Sequence, residues 1–403
     1  MLSDLSRYTL HFALAVVEGV IAVNALVIYL SEYNGLSSST KRMLGLVKGL
    51  VEKNFEVTLL TTEFKNRATD EETNKMLQKV QVITLESNMY SSGGRLGKGD
   101  YRKKIRQIAG SLYRLVCIFG HTERVAKSVK INILPSQEYD FVISISDPKT
   151  SHIALKSLLK QGLTCKKIIE YWGDPLYGDI TFKSIYPSSY IRDIEKKMLI
   201  LADSIVYTSP FTVKKEQEIF PELSLKMKYV PTASAKRIFN QGKKDDSFVV
   251  GYYGAYHSGV RNIMPLYNTF ADSKSGDVIL NIIGDSNLKL ESRDNILVRP
   301  RGNVSQYECD TDVLVCILNR TGTQIPGKLY YNASTNKAVL VILDGDEISE
   351  MRRFLARFDR FYVCENSEEE IARTIEEIKN SHKCWNPCEL LQPDVVAKMV
   401  LED

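Results

Sequence analysis

The chain has 403 residues, 44% of them hydrophobic and 25% charged, a composition that excludes wholesale disorder. That length supports two domains with proper cores, or about three of the usual size. A net charge of +4 is too small to mark a nucleic-acid binder. The charge is nevertheless concentrated, because ten Lys/Arg against Asp100 and Glu123 give +8 between Arg95 and Lys130.

Residues 1–24 form an apolar extension. The run "YTLHFALAVVEGVIAVNALVIYL" (8–30) is long enough to be read as a membrane span. Its last part, "ALVIYL", is needed as the first strand of the domain that follows. The remainder is interrupted by His11, Glu18 and Asn24, and a central charge is costly in lipid. A span, a buried or interfacial helix and an upstream extension all stay open at this point. No small-residue cleavage site marks a secretory signal.

From Ala25 onward, strands and helices alternate. The continuous apolar run "ALVIYLS" (25–31) suits a parallel strand buried on both faces. "SSSTKRMLGLVKGLVEKN" (37–54) has apolar residues at helical spacing behind a Ser/Thr cap. "FEVTLLTTE", "KVQVITL", "YDFVISIS", "KKIIEYW" and "DSIVYTS" are predicted strands of the same domain, 25–232. Residues 233–247 are polar and aperiodic, and form the predicted linker. A second alternation fills 248–385 with "FVVGYYGA", "VILNIIGD", "NILVRP", "DVLVCIL", "AVLVIL" and "RFYVCE". Residues 386–403 form a tail for which the first domain is a candidate packing partner. Two doubly wound α/β domains of this kind face one another across a cleft at the carboxyl ends of their strands.

Seven scattered cysteines, an odd number, do not make a disulfide framework and point to a reducing compartment. A zinc site at Cys384 and Cys388 would have only His382 nearby, so no metal is expected.

The most informative stretch is "GTQIPGKLYYNASTNKAVLVI" (322–342), a turn, a short helical pattern and a strand. Lys328 falls where the helix begins, and helix N-termini receive anions. The plain alternative is a solvent-exposed lysine. Arg261 carries the same two readings. Gly35 and Gly254 would let backbone approach a phosphate, or would serve only as turns. His152 and His257 are candidate cleft residues, with a structural histidine as the alternative for each. Asp174, in "YWGDP", is either a turn residue or a group that orients an acceptor hydroxyl.

The order of these features resembles a GT-B glycosyltransferase, specifically family 4 and its relatives in bacterial surface-polysaccharide synthesis. "SEYNGLSSSTKRMLGLVKGLVEKNFEVTLLT" is similar to the family's opening strand–loop–helix, with Gly35 and Arg42 at matching places under the donor phosphates. "VVGYYGAYHSGVRNIMPL" resembles its strand–glycine–helix unit, which places Gly254, His257 and Arg261 toward the diphosphate. "LNIIGDS", with Gly284, resembles the strand before the base-binding loop. Pro326, Gly327 and Lys328 match the signature of the second domain. There the family carries two glutamates eight positions apart, of which the second holds the ribose. Thr323 and Tyr331 occupy those positions here, and Ala338 replaces the family's proline. A phenol cannot replace a carboxylate that accepts two hydroxyl protons.

The resemblance implies two Rossmann-like domains and a metal-independent, retaining transfer of a sugar from a nucleotide-sugar co-substrate to a glycan or lipid-linked acceptor. Arg261, Lys328 and backbone N–H groups would stabilise the leaving diphosphate, with His152 and Asp174 as the candidate catalytic residues on the acceptor side. Arg95–Lys130 mixes basic and large apolar residues, as an anionic membrane surface at the cytoplasmic face requires; a solvated helix face is the bland alternative. No nucleic-acid partner is expected. The alternative function is a GT-B-like scaffold that has lost catalysis and serves a glycan-assembly complex.

Overall fold

The computed structural model describes residues 23–35, 37–62, 71–85, 115–120, 122–239, 247–272, 278–381 and 383–402. The apolar segment 1–22, most of the basic stretch, part of the linker and His382 lie outside the described residues.

The first sheet contains β1 (Asn24–Glu32), β2 (Glu56–Thr62), β3 (Gln81–Leu85), β4 (Glu138–Ile145), β5 (Thr164–Trp172), β6 (Ser204–Tyr207) and β7 (Met227–Tyr229). All pairs are parallel, in the order β3-β2-β1-β4-β5-β6-β7. The helices packed with it are α1 (Ser38–Glu52), α2 (Glu71–Leu77), α3 (Thr122–Ser128), α4 (Thr150–Leu159), α5 (Ser188–Leu199) and α6 (Pro210–Ile219). β1 shows why its sequence is almost wholly apolar. Ala25, Val27 and Tyr29 pack on one face with Met43, Leu46 and Leu50 of α1. Leu26, Ile28 and Leu30 pack on the other with Ala154, Leu155 and Leu158 of α4. A strand covered on both sides has no polar face to show.

The second sheet contains β8 (Phe248–Tyr253), β9 (Val278–Ile283), β10 (Ile296–Arg299), β11 (Val313–Ile317), β12 (Ala338–Leu343) and β13 (Tyr362–Glu365). It is also wholly parallel, in the order β10-β9-β8-β11-β12-β13. Its helices are α7 (Met264–Ala271), α8 (Ser305–Asp310), α9 (Lys328–Ala333), α10 (Ile348–Ala356) and α11 (Glu368–Ser381). Each sheet reverses its winding beside its first strand, between β1 and β4 and between β8 and β11. Open α/β sheets bind ligands at those switch points.

The last helix, α12 (Pro393–Leu401), returns to the first domain. Val396, Ala397 and Val400 join the cluster built by β1 and α1. The approach is close, because a Cβ on Gly49 would overlap the backbone carbonyl of Pro393 and crowd Ala397. Alanine at position 49 would gain about 1 kcal/mol of helix propensity. Forcing a packed backbone apart typically costs 1–3 kcal/mol or more, so the clash wins. Gly49→Ala is therefore expected to lower stability by about 1–2 kcal/mol in urea unfolding. Unchanged or raised stability would show that α12 does not seat on α1 this tightly.

Candidate functional site

The edge of the second sheet brings Gly254, Gly284, Arg261 and Lys328 together. Gly254 ends β8 with a φ of +147°, a conformation open chiefly to glycine. A Cβ there would overlap Lys328 Nζ, and one on Gly284 would overlap the Gly254 carbonyl. Gly254 thus makes room for the lysine, and Gly284 for the backbone of Gly254. Lys328 Nζ is buried without a hydrogen-bond partner and sits 4.5 Å from the centre of the Tyr252 ring. Burial lowers its amine to about 7, with the nearby Arg261 charge acting in the same direction. Arg261 donates through Nη1 to the Ala255 carbonyl at 3.1 Å, while its Nε is buried and unpartnered. His257, which accepts at its carbonyl from the Val260 and Arg261 amides, forms an exposed turn beside them.

The helix end itself contributes less than its sequence suggests. α9 has only six residues, and the amides of Leu329 and Tyr330 already donate to Pro326 and Gly327 carbonyls. The Gly254 amide donates to Ile283, Gly284 to Arg299 and Gly35 to Glu32. What an anion would meet here is side-chain charge.

The two tyrosines of α9 reach across to the first domain. Tyr330 Oη donates to the Thr208 carbonyl at 2.6 Å, and Tyr331 Oη to the Ser38 carbonyl at 2.8 Å. Lys41 Nζ stands 5.2 Å from the Tyr331 ring centre. Thr323 binds the start of α6, with its hydroxyl 3.0 Å from Thr212 Oγ1 and its carbonyl accepting from Ser209 and Thr212. The positions of the family's paired glutamates are thus occupied by interdomain contacts. Between the domains remains a cavity of about 70 Å³ lined by Lys41, Arg237, Glu308, Lys328, Tyr331 and Asn332, among others.

On the first domain, Arg42 is buried and donates through Nη2 to the Ser146 carbonyl. Gly173 leaves space for that guanidinium, which lies 5.6 Å from the Tyr171 ring centre. Arg42 thus braces the ends of β4 and β5. Asp174 is beside it, in a cluster where Lys149 Nζ contacts Asp147 at 2.7 Å and Asp179 at 3.6 Å. Burial and the Asp147 charge push Asp174 up to about 6. Gln324 reaches Asp179 from the second domain at 3.3 Å, so this cluster also faces the interdomain boundary.

His152 is placed differently. It is wholly buried, bonded through Nδ1 to Ser144 Oγ at 2.7 Å and stacked on Trp172 at 4.2 Å. Burial and the charges of Lys149 and Arg42 hold the ring neutral. It lies inside the domain, apart from the cleft. The Asp147–Lys149–Asp179 cluster and Glu308 were missed in the sequence because their partners come from distant elements.

Two Rossmann-like parallel sheets joined by a linker, with their switch points facing each other, define the GT-B fold. Solved structures of that fold align over nearly the whole chain. The glycosyltransferase from Rickettsia africae is 13% identical, over 94% of each chain, with a TM-score of 0.51. WaaG, a glycosyltransferase involved in lipopolysaccharide biosynthesis, is 10% identical over 94% of this chain and all of its own, also at 0.51. A mutant of TarM from S. aureus, solved with fondaparinux, α-GlcNAc-glycerol and UDP, is 9% identical over 94% and 95%, at 0.50. No protein-family model matches the chain, and a comparison with curated proteins finds no match.

The interior beneath Asp174 sets a pH dependence of its own. Burial raises Glu170 to about 8, Glu195 to about 7 and Glu216 to about 9, from an ordinary 4.5. Glu170 Oε1 and Glu216 Oε2 lack partners, so their protonated forms are the stable ones. The folded state therefore holds protons that the unfolded chain releases, and stability falls as pH rises through these values. His152 opposes this below its ordinary 6.5, and Lys328, whose amine is lowered to about 7, opposes it above that value. The melting temperature is expected to fall between pH 6.5 and 8, each carboxyl contributing up to about 1.4 kcal/mol per pH unit against the opposing lysine. Glu170→Gln should flatten the slope by one carboxyl. A melting temperature that rises over that window would contradict the assignment.

Proposed function

We propose that this protein is a glycosyltransferase that moves a sugar from a nucleoside-diphosphate donor to a glycan or lipid-linked acceptor in polysaccharide or glycoconjugate synthesis. The observation that carries it is Lys328 Nζ, an amine buried without an acceptor beside Arg261 at the switch-point edge of a GT-B sheet. An unpaired buried cation is costly, and a phosphate is the partner that relieves it. The solved TarM complex contains UDP, which supports a nucleotide donor on this fold. Retention of configuration and independence of metal rest on the family resemblance. The carboxylates around Lys149 serve the acceptor side, with Asp174 facing its hydroxyl.

The second reading is a catalytically silent scaffold. It is favoured by Thr323 and Tyr331, which join the domains where the family places glutamates. Nucleotide binding separates the two. Lys328→Ala should weaken nucleoside-diphosphate binding by about one to two decades, since a charged hydrogen bond is worth roughly 1.5–3 kcal/mol. Only the protonated amine binds phosphate, so wild-type affinity should fall by up to tenfold per pH unit above about 7. Calorimetric titration that finds no nucleotide binding in wild type decides for the scaffold.

We also place the protein at the cytoplasmic face of an anionic membrane. Among the described residues, no helix is long and apolar enough to cross a membrane. Ile185, Tyr186 and Tyr190 are exposed, and the Ile185 amide bonds the Leu115 carbonyl, which fixes this apolar patch beside the C-terminal part of the basic stretch. Purified protein should sediment with anionic vesicles in low salt and release as salt screens the charge. Equal partition into neutral vesicles would rule this location out.

A further inference from the structure

The cavity between the domains holds one carboxylate among its cations. Glu308, on α8, is buried there, and its Oε2 accepts from Arg237 Nη2 of the linker. Its Oε1 makes no hydrogen bond to the described residues. The Glu308 charge is felt by both Lys41 and Lys328, the two amines that line the same space. Asn332 adds an amide beside them.

These groups are complementary to a phosphorylated sugar with adjacent hydroxyls. The lysines match phosphate oxygens, while a carboxylate with a free oxygen accepts hydroxyl protons in pairs. Tyr331, in the same cavity, has a single phenol oxygen and cannot accept two hydroxyl protons side by side as a carboxylate does. Arg237 offsets the buried negative charge and fixes the carboxylate's orientation. We propose that Glu308 is the residue that receives the ribose hydroxyls of the donor, with Arg237 as its positioning partner. This rests on the nucleotide site proposed above.

A space of about 70 Å³ accommodates roughly two waters, far less than a nucleotide. Donor entry therefore requires α1 to part from α9, which breaks the Tyr331–Ser38 contact. Hinged separation of two domains is an ordinary motion on this scale.

The test titrates full-length protein with UDP, GDP and ADP, then with the 2′-deoxy counterpart of whichever binds, and with inorganic pyrophosphate. Wild type should prefer the ribonucleotide by about tenfold or more. Glu308→Gln should erase most of that preference without weakening pyrophosphate binding. Should this variant fail to fold, Glu308→Asp supplies a shorter carboxylate, and the wild-type comparison stands without either. Equal affinity of wild type for the ribo and deoxy forms overturns the assignment of Glu308 alone, as does a preference that survives Glu308→Gln. Absence of all nucleotide binding overturns the donor site and this assignment with it.

Discussion

A cation enclosed without an acceptor is the constraint that organises the second domain's edge. Lys328 lies against Tyr252 in space left by the bare Gly254, whose own backbone passes close over Gly284. Nζ is buried there, and no carboxylate or carbonyl among the described residues accepts from it. The protein tolerates this by letting the amine lose its proton readily, which keeps the folded state from holding a bare charge. Such a group is poised: an arriving anion would raise the amine's affinity for a proton from solvent and supply the missing partner.

The domain boundary follows from the same helix. Six residues after Gly327 present Lys328 to one side and Tyr330 and Tyr331 to the other. A helix this short gives little of its own stability, so packing decides its position. Leu329, Tyr330 and Ala333 anchor it in the second domain's core. Movement of α9 relative to α1 would therefore couple phosphate contact to domain separation directly, with no intervening relay.

Much of the fold was legible because parallel strands buried on both faces leave nearly unbroken apolar runs, as β1, β11 and β12 do. β7 was not, since three residues are too few to carry a period. The site divided along a similar line. Gly254, Arg261 and Lys328 could be read from local patterns and a family resemblance, and they converge in space. Thr323 and Tyr331 occupied recognisable positions, but their roles depend on Thr212 and Ser38, far away in the chain. His152 sits one turn into a helix that follows a strand, which fits a cleft residue or a core residue equally well. Its burial is set by Trp172 on the neighbouring strand. Arg237 and Glu308 gave no local signal at all, because an ion pair between a linker and a six-residue helix has no periodicity.

The return of α12 to the first domain has a consequence for biosynthesis. The cluster that holds β1 to α1 also contains Val396, Ala397 and Val400, which are made only after the entire second domain. Domains emerging from a ribosome usually complete their folding in order, the first before the second. Here the first domain leaves the ribosome with the α12-binding face of α1 uncovered, Gly49 at its centre. Until residues 393–401 arrive, that face is an exposed apolar surface on a nascent chain, and a natural place for a chaperone to hold.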